Sequence, residues 1–205
     1  TKDAETDEGL FDVHKVEYKY YYEIPDALLG QEMLLVTRVA KTADNLGYGG
    51  EKLNTQIVRW EKKQDKILLR HISYENVASE TKPIYEAVRN SNFEPIIASF
   101  DIEALNQDST GSVVEITSMF TDDIPSLGLD SGDRRQYQVR RVDGSRTFIE
   151  HINSYPENIE ARNILTYDAG NPPSNSSTGT ISIELNHSMI VLPEEEMRPR
   201  DYDQR

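Results

Sequence analysis

Four histidines, His14, His71, His151 and His187, are the side chains best suited to metal or proton chemistry in this chain. None stands in His-Glu-x-x-His, the helical spacing that places two imidazoles on one face beside a carboxylate base. Glu150-His151 falls in a strand-type stretch, where neighbours point to opposite faces and cannot chelate together. Zinc bound by this chain's own residues is therefore not expected. Gly-x-Ser-x-Gly, the marker of a strand-to-helix nucleophile, is absent, and Ser131 lies in a loop-like stretch between Asp130 and Gly132. The 36 acidic residues include no pair that spacing singles out for glycoside hydrolysis.

Two short stretches carry the remaining interest. Gly47-Tyr48-Gly49-Gly50 lacks both the Gly-x-Gly-x-x-Gly pattern and the Gly-Lys-Ser/Thr ending of phosphate loops. It reads as a tight connection needing positive φ, or as a bare backbone that a peptide or neighbouring domain can approach. Asn186-His187-Ser188 matches a glycosylation sequon, as does Asn175-Ser176-Ser177. His187 is either a hydrogen-bonded histidine of a sheet or a contact to an adjoining domain. The candidate interdomain or peptide contacts are thus Gly47, Tyr48, Gly49, Gly50, Asn186 and His187.

These residues must be positioned by β-structure. Val16 to Ile24 alternates, with Tyr18, Tyr20, Tyr22 and Ile24 on one side, which predicts a half-buried strand. A projecting row of these tyrosines would suit a free-standing glycan- or peptide-binding module. Met33 to Val39 is a near-continuous apolar run, as in a central strand. Gln56 to Glu61 and Lys66 to Tyr74 flank Lys62-Lys63-Gln64-Asp65 and predict a hairpin. Pro83 to Asn90 reads as a short helix, Pro95 to Asp101 as extended, and Asp101 as the cap of a helical turn through Leu105. Ser112 to Ile116 is strand-like and Thr121 to Arg134 loop-like. Gln136 to Val142 and Arg146 to Asn153 flank Asp143-Gly144, a strong hairpin signal. Pro156-Glu157-Asn158 turns the chain into Ile159 to Tyr167. In Thr180 to Val191, Ile181, Ile183 and Leu185 face one way and Ser182, Glu184 and Asn186 the other. About nine strands with short helices predict a mainly β fold, its antiparallel sheets forming a sandwich or one large curved sheet.

Composition narrows the function classes. The 205 residues suffice for a core without disulfide or metal, and the 37% apolar content is ordinary for a globular protein. Cysteine is absent, which excludes disulfides and thiol chemistry. A net charge of −14 disfavours nucleic-acid backbones and anionic membrane surfaces, and no apolar run is long enough to span a membrane.

Several stretches carry a resemblance over nearly the whole length. They are Gly9-Leu10-Phe11-Asp12-Val13, Tyr21-Tyr22-Glu23-Ile24-Pro25-Asp26-Ala27-Leu28-Leu29-Gly30, Leu46-Gly47-Tyr48-Gly49-Gly50-Glu51 and Ser91-Asn92-Phe93-Glu94-Pro95-Ile96. Ser154-Tyr155-Pro156-Glu157-Asn158-Ile159-Glu160 and Leu185-Asn186-His187-Ser188-Met189 complete the set. Together they resemble the N-terminal, non-catalytic region of secreted bacterial zinc metalloproteases of the zincin type. The resemblance implies a small module over residues 1–50, a main β-rich domain over 51–192, and a polar tail over 193–205 leading toward a catalytic domain. It further implies a secreted or periplasmic location, with zinc and His-Glu-x-x-His on the downstream domain, the chain's expected partner.

Overall fold

Alternating apolar and polar residues are realised as a single antiparallel sheet in the computed structural model, which describes residues 4–173 and 177–193. Twelve strands occur among the described residues: β1 (Glu5–Asp7), β2 (Asp12–Val16), β3 (Lys19–Pro25), β4 (Glu32–Lys41), β5 (Lys52–Lys63) and β6 (Lys66–Ile72), then β7 (Ile96–Leu105), β8 (Gly111–Glu115), β9 (Val139–Val142), β10 (Phe148–Ser154), β11 (Asn158–Ala169) and β12 (Thr180–Val191). Three short helices join them: α1 (Tyr85–Ser91), α2 (Thr117–Thr121) and α3 (Ser131–Gln136). Neighbours run β1-β2-β3-β8-β7-β6-β5-β4-β12-β11-β10, with β9 also on β11. The fold is mainly β, and the expectation of one large curved sheet is met: it curls into a half-barrel.

The ends of the curl are tied together. Leu10 N–H donates to the Tyr155 carbonyl at 2.8 Å, and the Ser154 hydroxyl donates to the Phe11 carbonyl at 2.6 Å. Gly9 permits this approach, since a Cβ there would lie 2.5 Å from Ser154 Oγ and 2.7 Å from the Tyr155 nitrogen. Inside, Trp60 is fully buried and meets Phe11 and Tyr22 edge-on, with ring centroids 6.0 and 6.2 Å apart.

Residues 116–137 fill the remaining space between the walls. Met119, Phe120 and Leu127 join the core around Trp60, while Leu129 and Tyr137 join a second core with Leu165, Tyr167 and Leu185. The first 41 residues supply one end of the sheet and its central strand β4, so the core around Trp60 runs across both proposed modules.

Five expectations need correction. Val16 to Ile24 is not one strand: Glu17 adopts φ 56° and turns the chain, leaving Tyr18 91% exposed at the hairpin tip. Tyr20 and Tyr22 are buried, so the three tyrosines form no exposed row and that basis for a binding platform is lost. Asp101 to Leu105 continues β7 rather than forming a helical turn.

Asp143-Gly144 does not join two paired strands. The Asp143 carboxylate accepts hydrogen bonds from the Ser145 hydroxyl at 2.6 Å and from Arg146 Nε at 2.8 Å, which folds the segment into a 3-10 turn. Hydrogen bonds from Ser145, then Arg146, hold this carboxylate down at about 2. β9 and β10 both pair with β11 instead. The loop expected over 121–134 contains the start of α3, capped by Asp130, which accepts from the Gly132 and Asp133 N–H groups at 2.5 and 3.1 Å. The tail beyond Pro193 and the Asn175 sequon lie outside the described residues.

Candidate functional site

Adjacent residues of β12 are sent to opposite faces of the sheet, and this separates Asn186 from His187. His187 points inward and is 1% exposed. Its Nδ1 lies 3.0 Å from the Thr37 hydroxyl and its Nε2 3.0 Å from Asn163 Oδ1. The Phe120 ring packs on the imidazole with centroids 5.4 Å apart. Desolvation pushes the imidazole down to about 3, so it is neutral at physiological pH.

Other inward polar groups work with it. Asn163 Nδ2 donates to the Phe120 carbonyl at 2.6 Å. Asn54 and Gln56 donate to the Ser126 carbonyl at 2.9 and 3.3 Å. These side chains supply partners to the irregular 116–137 segment, whose carbonyls would otherwise be buried without one. His187 is thus built into the core, out of reach of a neighbouring domain.

Asn186 points outward. Its amide donates to Glu160 Oε2 at 2.8 Å, and its amide oxygen has no hydrogen bond among the described residues. Register places it opposite Arg38 of β4 on one side and Arg162 of β11 on the other. One step along, Glu184 receives Lys41 Nζ at 2.6 Å and faces Arg162 Nη1 at 3.6 Å. Arg162 Nε is buried without a partner, and exposed Arg38 has neither hydrogen bond nor ion pair among the described residues. Together with Gly50 these residues line a depression of about 360 Å³. Glu160, one row away, is engaged by Asn158, Asn186 and Ser188 rather than by an arginine.

The glycine loop reaches this depression by one end only. Gly47 and Gly50 have φ of 63° and 93°, and Gly50 N–H donates to the Val39 carbonyl at 2.7 Å. Glu51 folds back to accept from Tyr48 N–H at 3.2 Å. Tyr48 is exposed, while Gly47, Tyr48 and Gly49 do not line the depression. Of the six candidates, the structure therefore joins Gly50 and Asn186. Arg38, Lys41, Arg162 and Glu184 were missed. Each sits at an outward strand position, but the pairing of β4 with β12 across some 150 residues leaves no local trace in sequence.

A second arrangement lies near the N-terminus. The Thr6 hydroxyl is 2.8 Å from His14 Nδ1, and Glu23 Oε2 is 3.1 Å from His14 Nε2. A hydrolytic relay instead presents Nε2 to the hydroxyl and Nδ1 to the carboxylate. The inverted order suits a clasp holding edge strand β1 to β2 and β3. Among the described residues, no three His, Asp or Glu side chains converge as a metal site. No helix there is long and apolar enough to cross a membrane.

Among curated proteins and among solved structures, none matches the chain. Family models match in two consecutive segments, and the boundary between them falls in the β4–β5 loop that holds Gly47 to Gly50. With residues 1–42 matching Domain of unknown function (DUF5118), the chain belongs over residues 50–205 to the family described as Domain of unknown function (DUF5117).

Proposed function

We propose that this chain is the non-catalytic N-terminal region of a secreted or periplasmic zinc metalloprotease, packing against a downstream zincin domain that holds the zinc. The resemblance of six stretches, in order along the chain, motivates the reading. The observation that carries it is the outer depression: the fold leaves Arg38 and Arg162 short of partners beside Gly50 and Asn186, on two of the resembling stretches. Arg38 is solvated, but the Arg162 Nε is buried and unpaired, and a buried donor normally has a partner. A contact with a neighbouring domain gives them partners.

The test has two parts. The gene beyond Arg205 is expected to encode His-Glu-x-x-His, and the purified chain by itself is expected to show no zinc-stimulated peptide cleavage. An open reading frame that closes without that motif, or robust zinc-dependent cleavage by the chain alone, would overturn the proposal.

A further inference from the structure

We infer that the depression between β4, β12 and β11 is a carboxylate-binding site, and that its occupant is an acidic peptide segment of a protein partner. The inference rests on reading this depression as a contact surface and adds the chemistry of what it accepts.

Charge is the first argument. Arg38, Lys41 and Arg162 supply three positive charges and Glu184 one negative, a local excess of two on a protein of net charge −14. Lys41 is occupied by Glu184, which also offsets Arg162 weakly at 3.6 Å. Glu160, bound to Asn186 at 2.8 Å, is a further acid: amide and hydroxyl donors hold its oxygens but leave its charge in place, so counting it the local excess is one. Arg38 is thereby left as a complete unpaired fork.

Geometry is the second. Arg38, Asn186 and Arg162 form one cross-strand row on the outer face, so two guanidinium groups flank one amide. Guanidinium forks accept a carboxylate through two parallel N–H···O bonds, shorter and stronger than neutral hydrogen bonds. The buried Arg162 Nε is a donor already desolvated and still unmatched, and a carboxylate supplies what it lacks.

The setting favours a peptide over a free anion. The row lies on an open sheet face, and Gly50, with no side chain, leaves its flank low enough for a backbone to lie alongside. The protein's overall negative charge repels free anions and acidic peptides alike at long range. Salt near 0.15 M shortens that repulsion to roughly 8 Å while leaving paired contacts largely intact.

The probe is a blocked hexaglutamate peptide added to the ¹⁵N-labelled chain at about 0.15 M salt. Arg162 Nε–H and the Asn186 side-chain amide are expected to shift saturably. A blocked hexaglutamine peptide and extra sodium chloride are expected to leave them unmoved. Arg38→Gln, at an exposed position, is expected to weaken binding roughly tenfold with the spectrum otherwise preserved. Arg162→Gln should do the same, and Arg38 carries the test if that variant misfolds. Absence of saturable shifts, equal response to hexaglutamine, or unchanged affinity in Arg38→Gln would overturn the assignment. Tighter binding of inorganic phosphate than of the peptide would overturn the choice of a peptide carboxylate. Because the probe is synthetic, failure to bind a downstream domain would count against the proposed function without touching this result.

Discussion

Asn186 and His187 are neighbours in the chain, yet they belong to regions governed by different rules. On the inner side, Thr37, Asn54, Gln56, Asn163 and His187 form a polar layer in which hydrogen bonds are exchanged with one another and with the carbonyls of residues 120 and 126. On the outer side, Arg38 and Arg162 keep donors that nothing among the described residues uses. Water explains the contrast. A buried polar group left unpaired costs about 1–3 kcal/mol, so the interior is driven to completeness. Exposed Arg38 is left unmatched at little cost to stability, whereas the buried Arg162 Nε bears that cost until a partner reaches it.

The comparison breaks first where the inner layer is cut. Asn163→Leu strands both the Phe120 carbonyl and His187 Nε2, and the expected loss is about 2–5 kcal/mol in urea unfolding. Unfolding at the wild-type midpoint would show that the layer is not what holds the 116–137 segment. Gly9→Ala probes the closure of the curl rather than the layer. Its Cβ would collide with Ser154 and Tyr155, for an expected cost of about 1–3 kcal/mol in the same assay.

His187 gives the inner layer a pH signature. Its folded pKa, about 3, lies below the ordinary 6.5, so the unfolded chain binds an extra proton once pH falls below 6.5. Stability from this group is complete above 6.5 and is lost as pH falls toward 3, by about 1 kcal/mol per pH unit between pH 6 and 5. Unfolding curves across that interval, wild type against His187→Asn, isolate the contribution before most carboxylates titrate. The smallest effect is expected outside: Arg38→Gln should move stability by no more than about 0.5 kcal/mol in the same urea assay.

The sequence reveals period better than partnership. Alternation in Thr180 to Val191 correctly separates Ile181, Ile183 and Leu185 from Ser182 and Asn186, because one face of that strand is buried throughout. The apolar run at Met33 to Val39 correctly marks a central strand. Asp143-Gly144 misleads because the aspartate's own hydrogen bonds compete with the hairpin turn. The resembling stretches are legible as words but not as roles. Gly9 to Val13 and Ser154 to Glu160 turn out to meet each other where the curl closes, and His187 serves the core. The outer row is illegible for a topological reason: Arg38, Asn186 and Arg162 become neighbours only once β4 pairs with β12 and β12 with β11.

Calorimetric titration of this chain with the polypeptide encoded directly beyond Arg205, using wild type and Arg38→Glu side by side with their unfolding curves, tests the central claim most directly. The account expects wild type to bind and Arg38→Glu to lose at least roughly tenfold in affinity while unfolding at the same urea concentration. Equal affinity for both proteins, or lost binding that merely tracks lost stability, would contradict it.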